Sequence, residues 1–178
     1  MIDINKELDD LWNRADQQTK IEAILSSFAH QFVLCPPFFK SATDLPSLKW
    51  KSMSFGSPHT KLPEQQGVYA FAVQIGLPNL PINSYILYVG KAGDTDSHNT
   101  LRSRYRDYMR ELNHMTRKRI HRMLNNWKGH LTYHYAEVPN GKSTEDVEKC
   151  LTTIFVPPYC RGDFTAQVGS LLRGSNLI

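Results

Sequence analysis

The chain has 178 residues, 40% hydrophobic, 21% charged and 11% aromatic, with a formal net charge of +4. That length and balance suit one well-packed domain with an appendage and exclude wholesale disorder. No apolar run of about 18 residues occurs, so no membrane-spanning helix and no membrane partner are expected.

Residues 1–10 lack the basic start and apolar stretch of a signal peptide, which points to a cytoplasmic protein. Cys35, Cys150 and Cys160 are odd in number and include no C-x-x-C pair, which argues against a disulfide framework and against a zinc finger.

In chain order, Leu8, Leu11, Trp12 and Ala15 recur at i, i+3, i+4 and i+7, the spacing of an amphipathic helix. Thr19-Lys20-Ile21-Glu22 reads as a capping box opening a second helix through Ile24, Leu25, Phe28 and Phe32, stopped by Cys35-Pro36-Pro37. Residues 1–35 are thus a helical N-terminal extension, suited to packing or partner contact. Five prolines and little periodicity in 36–66 make 36–63 a connecting loop.

From Gly67 the pattern changes. Val68–Val73 and Tyr85–Val89 are short runs of strand formers around a turn-rich 76–84, which predicts a hairpin with a long loop. A helix near 100–112 places Leu101, Tyr105, Tyr108, Met109 and Leu112 on one face. Another, near 114–127, groups Ile120, Met123, Leu124 and Trp127.

Leu131–Val138 alternates as a third strand, and Pro139-Asn140-Gly141 turns the chain. A last helix starts at Ser143 or Thr144 and buries Val147, Cys150, Leu151 and Ile154. The order β-β-α-α-β-α predicts a small α+β domain at about 64–165, followed by a tail, 166–178.

Charge is unevenly placed. Between Leu101 and Lys128, nine Lys or Arg face only Asp107 and Glu111, a local charge of +7, while the remaining 150 residues carry −3. A basic, helically spaced block is what binding to a phosphate backbone requires. His114, His121, His130 and His134 have no trusted metal-ligand spacing and read as surface or strand histidines.

Gly67-Val68-Tyr69 and Tyr88-Val89-Gly90 lie on the two predicted hairpin strands. They are followed by Leu101-Arg-Ser-Arg-Tyr-Arg-Asp-Tyr108, and later by Glu148 with Pro157-Pro158-Tyr159-Cys160. In that order and on those elements, these motifs resemble the GIY-YIG nuclease superfamily, over Gly67 to Cys160. Eighteen residues separate Tyr69 from Tyr88, and Cys160 stands where the family has asparagine.

The resemblance implies a three-stranded antiparallel sheet flanked by helices. It also implies one divalent ion, Mg²⁺ or Mn²⁺, held by Glu148 and waters. Tyr69 is then expected as general base, its pKa lowered by Arg104 and Lys91 while these clamp the scissile phosphate. Tyr88 and Tyr108 are expected to orient water or phosphate, and a swap of Tyr69 with Tyr88 stays open.

Helix geometry refines the set. Arg104 and Tyr108, at i and i+4, share a face. Arg102, Arg106 and Arg110 form a stripe roughly 160–200° away, outside that site, and with Arg117, Lys118 and Arg119 are expected to contact nucleic acid. Glu148 falls at the border of the apolar stripe of its helix, roughly 100° from its centre, while Glu145 points farther toward water.

The expectation is a metal-dependent DNA endonuclease of restriction, phage defence or a mobile element. A nucleic-acid-binding domain that has lost cleavage and an RNA-cleaving toxin remain open, as does a homodimer or larger assembly through the N-terminal helices.

Overall fold

The computed structural model describes residues 17–40, 45–75, 81, 83–94, 99–139, 141–160, 164 and 166–174. In chain order they form α1 (Gln17–Phe28), a helical turn α2 (Pro36–Phe39), β1 (Lys51–Ser54), a 3-10 turn (His59–Lys61), β2 (Gly67–Ile75) and β3 (Asn83–Ala92). There follow α3 (Leu101–His114), α4 (Lys118–Asn126), β4 (Leu131–Glu137), α5 (Thr144–Phe155) and α6 (Ala166–Gly174). The chain divides into two units, Met1–Gln31 and Phe32–Ile178.

In the first unit the helix expected at residues 8–15 lies outside the described residues. α1 is already formed at Gln17, so Thr19 lies inside it and does not cap it. The helix ends at Phe28, short of Phe32. There the Ser26 and Ser27 hydroxyls bond the carbonyls of Glu22 and Ile24, a local alternative that weakens a helix end.

The second unit is α+β, with an antiparallel sheet in the order β1-β4-β2-β3. Four strands replace the expected three. β1 comes from the segment read as a connecting loop and pairs Met53 with Tyr133 and Lys51 with Tyr135. It is a short edge strand with mostly exposed residues, so no alternation in its sequence announces it.

Alternation along β2 and β4 divides the core into two layers. Tyr69, Phe71, Val73, Leu131, Tyr133 and Tyr135 face Leu101, Tyr105 and Tyr108 of α3 and Ile120, Met123 and Leu124 of α4. On the other face Val68, Ala70, Val89 and Ala136 pack with Val147 and Leu151 of α5 and with Val168 and Leu172. The last two belong to α6, which forms within the segment read as a tail. Cys150, expected in this core, is only half-buried.

β3 carries a bulge. Phe71 pairs with Tyr88 and Ala72 with Ile86, leaving Leu87 as the extra residue. The Leu87 carbonyl accepts the Tyr159 amide at 3.0 Å, so the bulge also holds the segment after α5.

α3 is set down firmly. Thr100 and Ser103 form a capping box, and the Leu101 and Arg102 amides donate to the carbonyls of Gln65 and Pro63 just before β2. α5 is fixed by its Ser143 cap and by the Thr144 hydroxyl, which donates to the Gly93 carbonyl at 2.6 Å. Both helices are thereby anchored to the hairpin that carries the two tyrosine motifs. Among the described residues no helix is long and apolar enough to cross a membrane.

Candidate functional site

Tyr69 sits at the centre of a buried aromatic cluster. Its hydroxyl shares a 2.9 Å hydrogen bond with that of Tyr108, and its ring stacks on Tyr133 at 5.3 Å. Tyr69 and Tyr108 have no exposed surface. Gly90 is the register partner of Tyr69, and a Cβ at Gly90 would meet the Tyr69 hydroxyl at 2.5 Å. The glycine of the second motif therefore makes room for the tyrosine of the first.

Arg104 stands one helical turn before Tyr108, and its guanidinium lies beside the Tyr69 hydroxyl. Tyr69 is the largest influence on Arg104 and raises its pKa, burial comes next and opposes it, and Tyr108 adds to the rise. Tyr88 faces the same cluster, with its ring 6.5 Å from Tyr69 and 6.2 Å from Tyr108.

Burial is the largest influence on Tyr88 and raises its pKa far above that of a free phenol. The Tyr108 hydroxyl, Cys160 and Glu148 push the same way. Glu148 and Cys160 come from the α5 side, so Tyr88, on the edge strand, feels groups from both faces of the sheet.

The base role expected of Tyr69 required a lowered pKa. The structure reverses that sign: burial raises it well above 10, Tyr108 and Tyr88 add to the rise, and Arg104 offsets only part. Tyr69 is accordingly a neutral phenol at neutral pH. Lys91, the other group expected to lower it, is elsewhere. It pairs with Val68, on the opposite face of β3 from Gly90, and its ammonium binds Asp94 at 3.2 Å and Glu145 at 2.9 Å.

Glu148 is 8% exposed, whereas Glu145 is taken up by Lys91 and Lys149. A carboxylate is a hard oxygen donor of the kind Mg²⁺ or Mn²⁺ prefers, and Glu148 is the least of the influences that raise the Tyr88 pKa. Among the described residues no three His, Cys, Asp or Glu side chains gather around one point. An ion at Glu148 would thus take its remaining ligands from water or substrate.

Cys160 is buried against β3, and its sulfur accepts from the Val89 amide and donates to the Val89 carbonyl, both at 3.4 Å. The thiol therefore makes, in longer form, the donor and acceptor contacts that a side-chain amide offers.

The basic residues separate into groups. Arg102 is engaged within the protein, donating to the carbonyls of Leu62 and Thr60 and pairing with Glu64, so it anchors the 3-10 turn to α3. Arg106, Arg110 and Lys118 are exposed, and Arg119 is half-buried.

Arg110 departs from the expected stripe. It lines the same open cleft as Arg104, of about 380 Å³, together with Asp107, Glu111, His114, Thr116 and Arg117. Asp107 lies between the two arginines, 3.9 Å from Arg104 and 3.8 Å from Arg110, so long side chains bring together positions that helix angles alone separate.

Glu111 escaped the sequence reading, which counted it only as an opposing charge. It is 3% exposed and binds the Thr116 hydroxyl, the Arg117 amide at 2.7 Å and the Arg117 guanidinium at 3.6 Å. Arg117 in turn lies over the Tyr108 ring at 4.7 Å. The available signal was position: 111 follows Tyr108 by three and adjoins Leu112 on the buried stripe.

Compared with protein-family models, curated proteins and solved structures, the chain finds no match in any of the three.

Proposed function

We propose that the second unit is a divalent-metal-dependent endonuclease of the GIY-YIG type that hydrolyses phosphodiester bonds in DNA, in restriction, phage defence or a mobile element. The observation that supports this reading is convergence. Tyr69, Tyr88, Arg104 and Tyr108 come from three elements to one cluster, while Glu148 lies on α5, the helix packed on the other face of the sheet.

Phosphodiester hydrolysis needs positive charge on the phosphate oxygens and groups that orient the attacking water. Arg104 supplies a permanent fork of donors. The hydroxyls of Tyr69, Tyr88 and Tyr108 donate and accept, and so align water and phosphate, Tyr69 and Tyr88 as neutral phenols. Glu148 would hold the ion, which would supply an acidified water and a counter-charge for the leaving oxygen.

One observation favours a second reading, a domain that binds nucleic acid without cutting it: the Tyr69 and Tyr108 hydroxyls have no exposed surface. Incubation with supercoiled plasmid, single strands and RNA, in Mg²⁺, Mn²⁺ or chelator, separates the two. Metal-dependent nicking that falls by about 10²-fold or more in Glu148→Gln, with unchanged folding, is the expected result. Absence of cleavage on every substrate, with nucleic-acid binding retained, selects the second reading.

A further inference from the structure

We propose that the cleft between α3 and the start of α4 holds a phosphodiester group of a nucleic-acid strand, next to the one at Arg104. Naming a strand as the ligand rests on the nuclease reading. The cleft itself rests on its charge and geometry.

Arg104, Arg110 and Arg117 line it, against Asp107 and Glu111. The two acids do not cancel the three cations equally. Glu111 is buried and engaged with Thr116 and Arg117, whereas Asp107 stays 3.8–3.9 Å from its arginines, beyond hydrogen-bond length. Arg104 and Arg110 are therefore aligned by Asp107 without being saturated by it.

Arg117 is fixed in place before any ligand arrives. The Tyr108 ring lies beneath its guanidinium and Glu111 holds both its amide and its side chain. Pre-ordering removes part of the entropy that binding would otherwise cost. Arg117 is the N-cap residue of α4, so the positive end of that helix's dipole lies beside it, next to the Glu111 carboxylate that accepts its amide.

Guanidinium forks match phosphate oxygens in shape as well as charge. A cleft of about 380 Å³ lies within the usual range for small ligands, yet this one is open, and exposed Lys118 and Arg122 follow Arg117 on α4. An extended polyanion fits that run of charge better than a compact anion does.

The test is fluorescence anisotropy of a labelled single-stranded oligodeoxynucleotide, in chelator, across a salt series. Arg110→Gln and Arg117→Lys are compared with Lys128→Gln, an exposed charge of the same basic segment outside the cleft. Each cleft variant is expected to weaken binding by about 3- to 10-fold, and Arg110→Gln to reduce the slope of log K against log salt by about 0.7, with Lys128→Gln near wild type.

Equal losses in all three variants, no loss in Arg110→Gln, or no strand binding by the wild type overturns the proposal. Arg110 is exposed, so its variant tests binding without disturbing the core. Wild-type cleavage in Mg²⁺ with full affinity in Arg110→Gln removes the cleft and leaves the nuclease. Affinity lost in Arg110→Gln, with no wild-type cleavage of any substrate, removes the nuclease and leaves the cleft.

Discussion

The ring of Tyr69 covers Gly90, its partner across the hairpin, so closely that a single added carbon would strike the Tyr69 hydroxyl. The two tyrosine motifs are thus coupled through contact as well as through pairing.

Gly90→Ala is expected to cost about 1–3 kcal/mol, because the buried ring has no empty space to move into. Urea unfolding measures this. In the double variant with Tyr69→Phe, which removes the nearest atom, part of the loss should return as a coupling energy of about 0.5 kcal/mol or more. Strict additivity would mean that the ring carbons, at 2.6 and 2.8 Å, decide the clash and the hydroxyl does not.

Buried tyrosines make the protein sensitive to alkali. A phenol whose folded pKa is raised stabilises the fold fully below its unfolded pKa of about 10, and that contribution is lost as pH rises toward the folded value. Tyr69 and Tyr133 both follow this sign, with burial the first cause in each. Unfolding midpoints should therefore hold to about pH 10 and then fall, and Tyr69→Phe should make the fall shallower. A midpoint that rises above pH 10 contradicts it.

Tyr133 differs from Tyr69 in one respect. Its hydroxyl is buried with no hydrogen-bond partner among the described residues. Tyr133→Phe should be neutral or stabilising by up to about 1 kcal/mol, since removing an unpaired buried hydroxyl removes a desolvation cost. Tyr69→Phe, which breaks the bond to Tyr108, should destabilise by about 1 kcal/mol. The contrast, read by urea unfolding, is the check, and equal losses would mean that Tyr133 has a polar partner.

Cys160 ties the chain after α5 to the outer edge of β3 through both backbone groups of Val89. Cys160→Ala should cost about 1–3 kcal/mol by leaving those groups unpaired, and Cys160→Ser should recover most of it. If serine is as poor as alanine, the thiol acts by filling space alone.

Glu111 links acid stability to the cleft. Burial alone would raise its pKa, but the Thr116 hydroxyl and the Arg117 amide and guanidinium outweigh that and lower it. A lowered carboxyl contributes stability above its unfolded pKa of about 4.3 that is lost as pH falls through the folded value. Glu111→Gln should flatten the unfolding curve below about pH 4.3 and loosen Arg117 over Tyr108. An unchanged acid limb would show that Arg117 is held without the carboxylate.

The sequence by itself determined the elements whose side chains repeat. β2 and β3 are short runs of strand formers, β4 alternates, α3 and α5 present apolar stripes behind capping residues, and these are local patterns that the backbone imposes. It also set Arg104 beside Tyr108, because four residues make about one helical turn.

What lay beyond it depends on partners distant in the chain. β1 is held by pairing with β4, some eighty residues on, and has no burial pattern of its own. Lys91 turned to the far face because strand register, and not its nearness to the tyrosine motif, fixes its side. The protonation of Tyr69 was decided by tertiary packing alone: charge from Arg104 was visible in the sequence, but the stronger effect is the loss of water around a ring enclosed by Gly90, Tyr108 and Tyr133.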